Sequence, residues 1–240
     1  MVDKTHVLVK EPEISVRYLA DFMAASERKR RSIVEGCKYR PIARVLQHQV
    51  AQVSISATFL NNTATPQGLK EKAESIRRRI PTDDFDALTI EANADYVEKF
   101  SQVVEQVDLP KAEILPGKKF PPLKIHGVKI RFSANLMVRR VTKANILKRG
   151  AVMFRYAKGK PLKLEVGEFQ SAAIFGLLST FPDEDGYEAD KPLCLTLDAV
   201  TGTLFPAPSK SVSMFANMKA ACQTIAERWP NIPPPKGALL

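Results

Sequence analysis

Acidic side chains are missing from the middle of this chain. Between Ile114 and Leu164 lie 14 Lys or Arg and not one Asp or Glu. A segment without carboxylates cannot hold a hard metal ion by itself, which excludes carboxylate-based metal catalysis from within it. Cysteine is scarce too: Cys37, Cys194 and Cys222 are far apart, odd in number and at no metal-ligand spacing. Neither a disulfide framework nor a zinc site is expected, and a reduced cytoplasmic setting is. No apolar run approaches the roughly 20 residues of a membrane span, so no membrane partner is expected. Lys4, Lys10, Glu11 and Glu13 interrupt any signal-peptide pattern. The chain also lacks a glycine loop followed by Lys-Ser or Lys-Thr, a dinucleotide fingerprint and a Gly-x-Ser-x-Gly elbow. His6, His48 and His126 have no ligand partner at i+3 or i+4. No cofactor and no metal are expected.

What is present is positive charge, unevenly placed. Residues 1–110 hold 16 basic and 16 acidic side chains, and residues 111–240 hold 20 and 10, so the second half carries the whole formal charge of +10. A one-sign field repels itself and suits a polyanionic partner. Nucleic acid, DNA or RNA, is the partner expected first. Its phosphates are assigned to Lys118, Lys119 and Lys124, then to Lys129 and Arg131, then to Arg139, Arg140 and Lys143. Lys148, Arg149, Arg155, Lys158 and Lys160 complete the set. Phe132, Phe154 and Tyr156 offer aromatic faces on which bases can stack. Two other readings of the same cations stand beside this one. They can dock an acidic protein partner, or be balanced internally by the acidic loop Asp183, Glu184, Asp185, Glu188 and Asp190. A secondary basic patch runs through Arg28, Lys29, Arg30, Arg31, Lys38, Arg40 and Arg44, where Cys37 lies among cations that can lower its pKa. Arg77, Arg78 and Arg79 end a helix, where the dipole alone favours cations.

The expected fold is α+β or α/β. Apolar spacing predicts helices over Ile14–Ala25, from Ser26 to a stop at Gly36, and over a long segment after Pro41 that closes at Asn61-Asn62. Thr65-Pro66 starts another helix, and Asp83-Asp84 starts a long one that reaches Val107. Pro110, Pro116, Gly117, Pro121 and Pro122 mark residues 111–122 as a connector. Residues 123–230 then form a basic α/β domain, a small mixed sheet flanked by helices. Its strands are expected at Val128–Phe132, Asn135–Val141, Ala151–Tyr156, Leu193–Val200 and Thr203–Phe205, and its helices at Glu165–Thr180 and Ser211–Arg228. Residues 231–240 are a Pro-rich tail.

The order helix, three strands, helix, strand within residues 83–200 resembles the core of the PD-(D/E)XK nuclease superfamily. That family brings a carboxylate on its second strand and Glu-x-Lys on its third. The corresponding positions here read Ser133-Ala134-Asn135-Leu136 and Met153-Phe154-Arg155, with Lys158 nearby and Glu98 where a helical Glu can stand. The resemblance implies a fold that holds a nucleic-acid duplex without cutting it, as a subunit of a bacterial nucleoprotein or antiviral defence complex. The alternative is a metal-dependent nuclease using Glu98, Asp198 and Lys158. The block from Tyr18 through Arg31 to Tyr39 is similar to uncharacterised bacterial proteins and implies no activity.

Overall fold

The computed structural model describes residues 4–42, 48–156 and 160–240. Its architecture is α+β. Helices cover both faces of a five-stranded sheet, and two smaller sheets lie beside it.

The N-terminal residues give two short strands, β1 (His6–Leu8) and β2 (Glu13–Ser15), then α1 (Val16–Met23) and α2 (Glu27–Lys38). The side chain of Ser15 accepts from the Tyr18 N–H and caps α1. Helix α2 runs through Gly36, where a stop was expected, because tertiary contacts outweigh the glycine. Cys37 is buried, and the Lys38 ammonium donates to the carbonyls of Trp229 at 2.7 Å, Pro230 at 3.2 Å and Ile232 at 2.8 Å. Strand β3 (Tyr39–Pro41) pairs with β1.

Helices α3 (Gln49–Leu60), α4 (Pro66–Arg77) and α5 (Asp84–Ser101) follow. Thr65 caps α4 with Pro66 in its first turn, and Asp83 caps α5. Residues 111–122, expected to be only a connector, contain β4 (Glu113–Pro116), which Pro116 ends. Then come β5 (Leu123–Ile125), β6 (Val128–Arg131), β7 (Leu136–Val141), β8 (Leu147–Arg155), α6 (Leu164–Leu178), β9 (Glu188–Asp198), β10 (Leu204–Pro206) and α7 (Ser211–Arg228).

The main sheet has the order β10-β9-β8-β7-β4. Its pairs are antiparallel except β8 with β9, which are parallel and joined through α6. Side chains alternate across it. Leu136, Val138, Val152, Phe154, Leu193, Leu195 and Leu197 enter a core shared with α3, α4 and α5. Met137, Ala151 and Cys194 enter the other core, with α1, α2, α6 and α7. Gly150 sits at a register shift between Arg149 and Ala151. A Cβ there would lie 2.0 Å from the Leu193 carbonyl oxygen, so β8 and β9 meet closely only over glycine.

The expected division at the connector is a change of composition and not of packing. Ile14, Leu19 and Phe22 share one core with Phe132, Ile174 and Ile225, and β2 pairs in parallel with β6.

Candidate nucleic-acid interface

The cations of the acid-free segment separate into two groups. Seven of the fourteen form ion pairs with carboxylates outside the segment. Four of these meet the acidic loop that leads into β9. Parallel pairing sets Lys148 opposite Glu188 and Arg149 opposite Ala189, so that loop folds over the basic end of β7 and β8. Lys148 reaches Glu188 at 2.7 Å, Arg140 reaches Asp190 at 2.6 Å, and Arg139 reaches Asp185 at 2.8 Å and Asp183 at 3.4 Å. Arg149 is buried. It donates to Asp183 at 2.5 Å, to the Leu178 carbonyl at 2.9 Å and to the Phe181 carbonyl. Burial by itself would raise the Asp183 carboxyl. The Tyr187 N–H and the guanidiniums of Arg149 and Arg139 outweigh it and hold Asp183 below the usual carboxylate value.

Arg155 is buried as well. It donates to Asp21 at 2.5 Å, to the Arg17 carbonyl at 3.2 Å and to Gln170 Oε1 at 3.3 Å. Phosphate contacts were expected from Arg139, Arg140, Lys148, Arg149 and Arg155; Arg149 and Arg155 are instead buried in ion pairs of their own chain, and Arg139, Arg140 and Lys148 are paired with the acidic loop nearer the surface. Phe132 and Phe154 are core side chains, and Tyr156 stacks on Tyr96 with ring centroids 3.9 Å apart.

The second group is exposed. Lys118, Lys119, Lys124, Lys143, Lys160 and Lys163 form no ion pair among the described residues, and the Lys118 ammonium lies over the Phe120 ring at 5.5 Å. Three of them flank or occupy one ribbon. Lys124 lies opposite Lys129 across β5 and β6, and the ribbon continues to a bridge between Lys119 and Ser133. Directly opposed residues share a face, and faces alternate along a strand. Lys119, Lys124, Lys129, Arg131 and Ser133 therefore share the outer face, while Val128, Ile130 and Phe132 are buried on the inner one. The acidic neighbours of this row are Glu11, 2.7 Å from Lys129, and Glu13, 2.8 Å from Arg131. Arg40 joins the same face, 2.6 Å from Glu13. Five cations thus stand over two carboxylates. Salt bridges this exposed hold their partners weakly, so Lys129 and Arg131 remain available to a polyanion.

In the secondary patch, Arg28, Lys29 and Arg31 are exposed along α2. Arg30 instead donates to the Phe22 and Met23 carbonyls at 3.0 and 3.1 Å and closes the end of α1. Lys38 is the buried latch on the C-terminal carbonyls. Arg44 and Lys158 lie outside the described residues. Burial pushes the Cys37 thiol up to about 11, outweighing the cations around it, as suits a structural cysteine near a helix end.

Of the nuclease alternative, Glu98 and Asp198 lie among the described residues, and each is engaged in a different local network. Glu98 lies 2.5 Å from Arg77, which also holds Glu74, Glu91 and Asp95, each at 3.1 Å. Tyr96 on the same helix faces the sheet. Glu98, two residues on, points about 200° away around the helix. Asp198 is 1% exposed and serves a turn: it accepts from Leu162 N at 2.8 Å, Val200 N at 2.9 Å and Thr201 Oγ1 at 3.0 Å. The face of β7 and β8 that meets the helices α3–α5 is filled by Leu136, Val138, Val152 and Phe154. No group of three His, Cys, Asp or Glu among the described residues could hold a metal ion, and none of their helices is long and apolar enough to cross a membrane.

One constellation carried no signal in the sequence. Arg155 on β8 gathers Asp21 from α1 and Gln170 from α6, separations of 134 and 15 residues. Gln170 Nε2 is buried there without a hydrogen-bond partner among the described residues. Neither a scan against protein-family models nor a search of the curated proteins gives a match to this chain.

Proposed function

We propose that this protein binds nucleic acid without cutting it, through the outer face of the β5–β6 ribbon. The observation that carries the reading is the row Lys119, Lys124, Lys129 and Arg131, with Arg40 beside it and, among the described residues, Glu11 and Glu13 as paired counter-charge. A phosphate backbone following such a row releases its own counterions, and that release drives binding with little sequence preference. The run α5, β4, β7, β8, α6, β9 supports a degenerate PD-(D/E)XK-like scaffold, with parallel β8 and β9 joined through α6. Asn135, Phe154 and Arg155 occupy the segments where that family places carboxylates. A role as a subunit of a bacterial nucleoprotein or defence complex fits a chain that binds and does not cleave.

Titration of labelled duplex and single-stranded DNA and RNA tests the reading. With about three or four phosphates neutralised, affinity for duplex DNA falls about 40- to 150-fold between 50 and 200 mM salt. Changing Lys119, Lys124, Lys129 and Arg131 together to Gln removes most of the binding and flattens the salt slope. Undetectable binding to all four nucleic acids at 50 mM salt, or full binding by the quadruple variant, overturns it.

A further inference from the structure

At its Ser133 end the cationic ribbon runs into a cleft of about 360 Å³ between α3 and the start of β7. That volume is at the small end of the range for ligand pockets, about 300–1,000 Å³. Its polar lining is neutral. Helix α3 presents Gln49, Gln52 and Ser56, spaced to share one face, and Asn135 faces them across the cleft. No charged side chain is among its described lining residues.

The cleft is built rather than incidental. Asn135 Oδ1 accepts the Phe154 N–H at 2.8 Å, which fixes the amide so that Nδ2 turns toward Gln52 Oε1, 3.5 Å away. Ser56 Oγ donates to the Asn135 carbonyl at 3.2 Å and ties α3 to the strand. Gly117 closes another wall. A Cβ there would stand 2.3 Å from the Ala134 oxygen and 2.4 Å from the Asn135 oxygen, so the backbone reaches this wall only as glycine. Val53, Leu60 and Pro116 add apolar surface.

Carboxamides present donors and acceptors together, the pattern that matches the edge of a nucleobase. Lysines flank the rim. Lys118 follows Gly117 and its carbonyl accepts from Ala134 N at 2.9 Å, while Lys119 bridges Ser133. Phosphate contacts and a base-sized neutral slot thus lie side by side. We infer that the cleft receives one unpaired base of a single strand whose backbone follows the ribbon, so that single-stranded nucleic acid is the preferred partner. This inference rests on the nucleic-acid reading above and goes further, to the form of nucleic acid and the place of a base.

The test uses the full chain and three labelled probes of equal length: a single-stranded oligonucleotide, its blunt duplex, and the same strand with abasic spacers that keep the phosphates. The paired substitution Gln49→Leu and Gln52→Leu changes side chains that are exposed or half-exposed, and thermal unfolding checks that the variant folds. Expected are tighter binding of the normal strand than of the abasic one, and about a 30-fold loss for the variant on that strand, the size of two neutral hydrogen bonds, with duplex affinity unchanged. Equal affinity for normal and abasic strands, or equal loss on strand and duplex, overturns the inference. The ribbon reading survives that result if the quadruple ribbon variant still abolishes binding. Undetectable binding of all three probes at about 50 mM salt overturns both.

Discussion

Asp183→Ala tests whether the basic segment serves the fold. The side chains of Arg149 and Asp183 are only 5% and 8% exposed, and they meet at 2.5 Å. Removing the carboxylate leaves a buried guanidinium with two carbonyls, of Leu178 and Phe181, as its remaining partners. Breaking a buried ion pair from one side costs about 3–5 kcal/mol. The two carbonyls place this case near the lower end. For a chain of this length each kcal/mol moves the melting temperature by about 2 °C, so a drop of about 6–10 °C is expected. Urea unfolding of Asp183→Ala, of Arg149→Met and of the double variant forms the assay. The double variant no longer buries a lone charge, so it should be less destabilised than the sum of the two singles. pH adds a second reading. The folded pKa of Asp183 is lowered, so its contribution is complete above the unfolded value of about 3.9 and is lost as pH falls through the folded value. Asp183→Asn should therefore flatten the acid limb of the stability profile. A cost below about 1 kcal/mol for Asp183→Ala, or strict additivity in the double variant, would refute the reasoning.

Arg139→Ala with Arg140→Ala should lower stability slightly and leave nucleic-acid affinity nearly intact, because both side chains are already paired with Asp183, Asp185 and Asp190; titration beside the ribbon variant decides this. Lys38→Met should cost about 1–3 kcal/mol, since a charged donor to buried carbonyls is lost, and should release the segment after Arg228 to limited proteolysis. Purified protein should leave linear and circular DNA intact with Mg²⁺ or Mn²⁺; cleavage abolished by Asp198→Asn and retained in Asp108→Ala would promote the nuclease alternative. Cys194 and Cys222, both buried with their thiols pushed up by burial, should react with a thiol reagent only on unfolding.

Local chemistry fixed much of the secondary structure from the sequence alone. Thr65-Pro66 and Asp83 start helices because a side-chain oxygen can take the orphaned N–H groups wherever the chain goes next. Alternation at Val128, Ile130 and Phe132 placed a strand, and one amphipathic face placed α7 over Ser211–Arg228. The sequence also located the positive charge. Tertiary structure decided which of those charges are paired and which stay exposed. Arg139, Arg140, Lys148 and Arg149 meet carboxylates 34 to 50 residues away, because β9 returns parallel to β8 and carries the acidic loop with it. A one-dimensional charge count cannot see such a return. Lys119, Lys124, Lys129 and Arg131 stay outward for the opposite reason: their strands turn the alternate residues into the core, and among the described residues only Glu11 and Glu13 form ion pairs with them. The carboxamide cleft depended on the fold most of all. Gln52 and Asn135 are 83 residues apart, and neither amide carries a pattern that marks a site until a helix and a strand start are packed together.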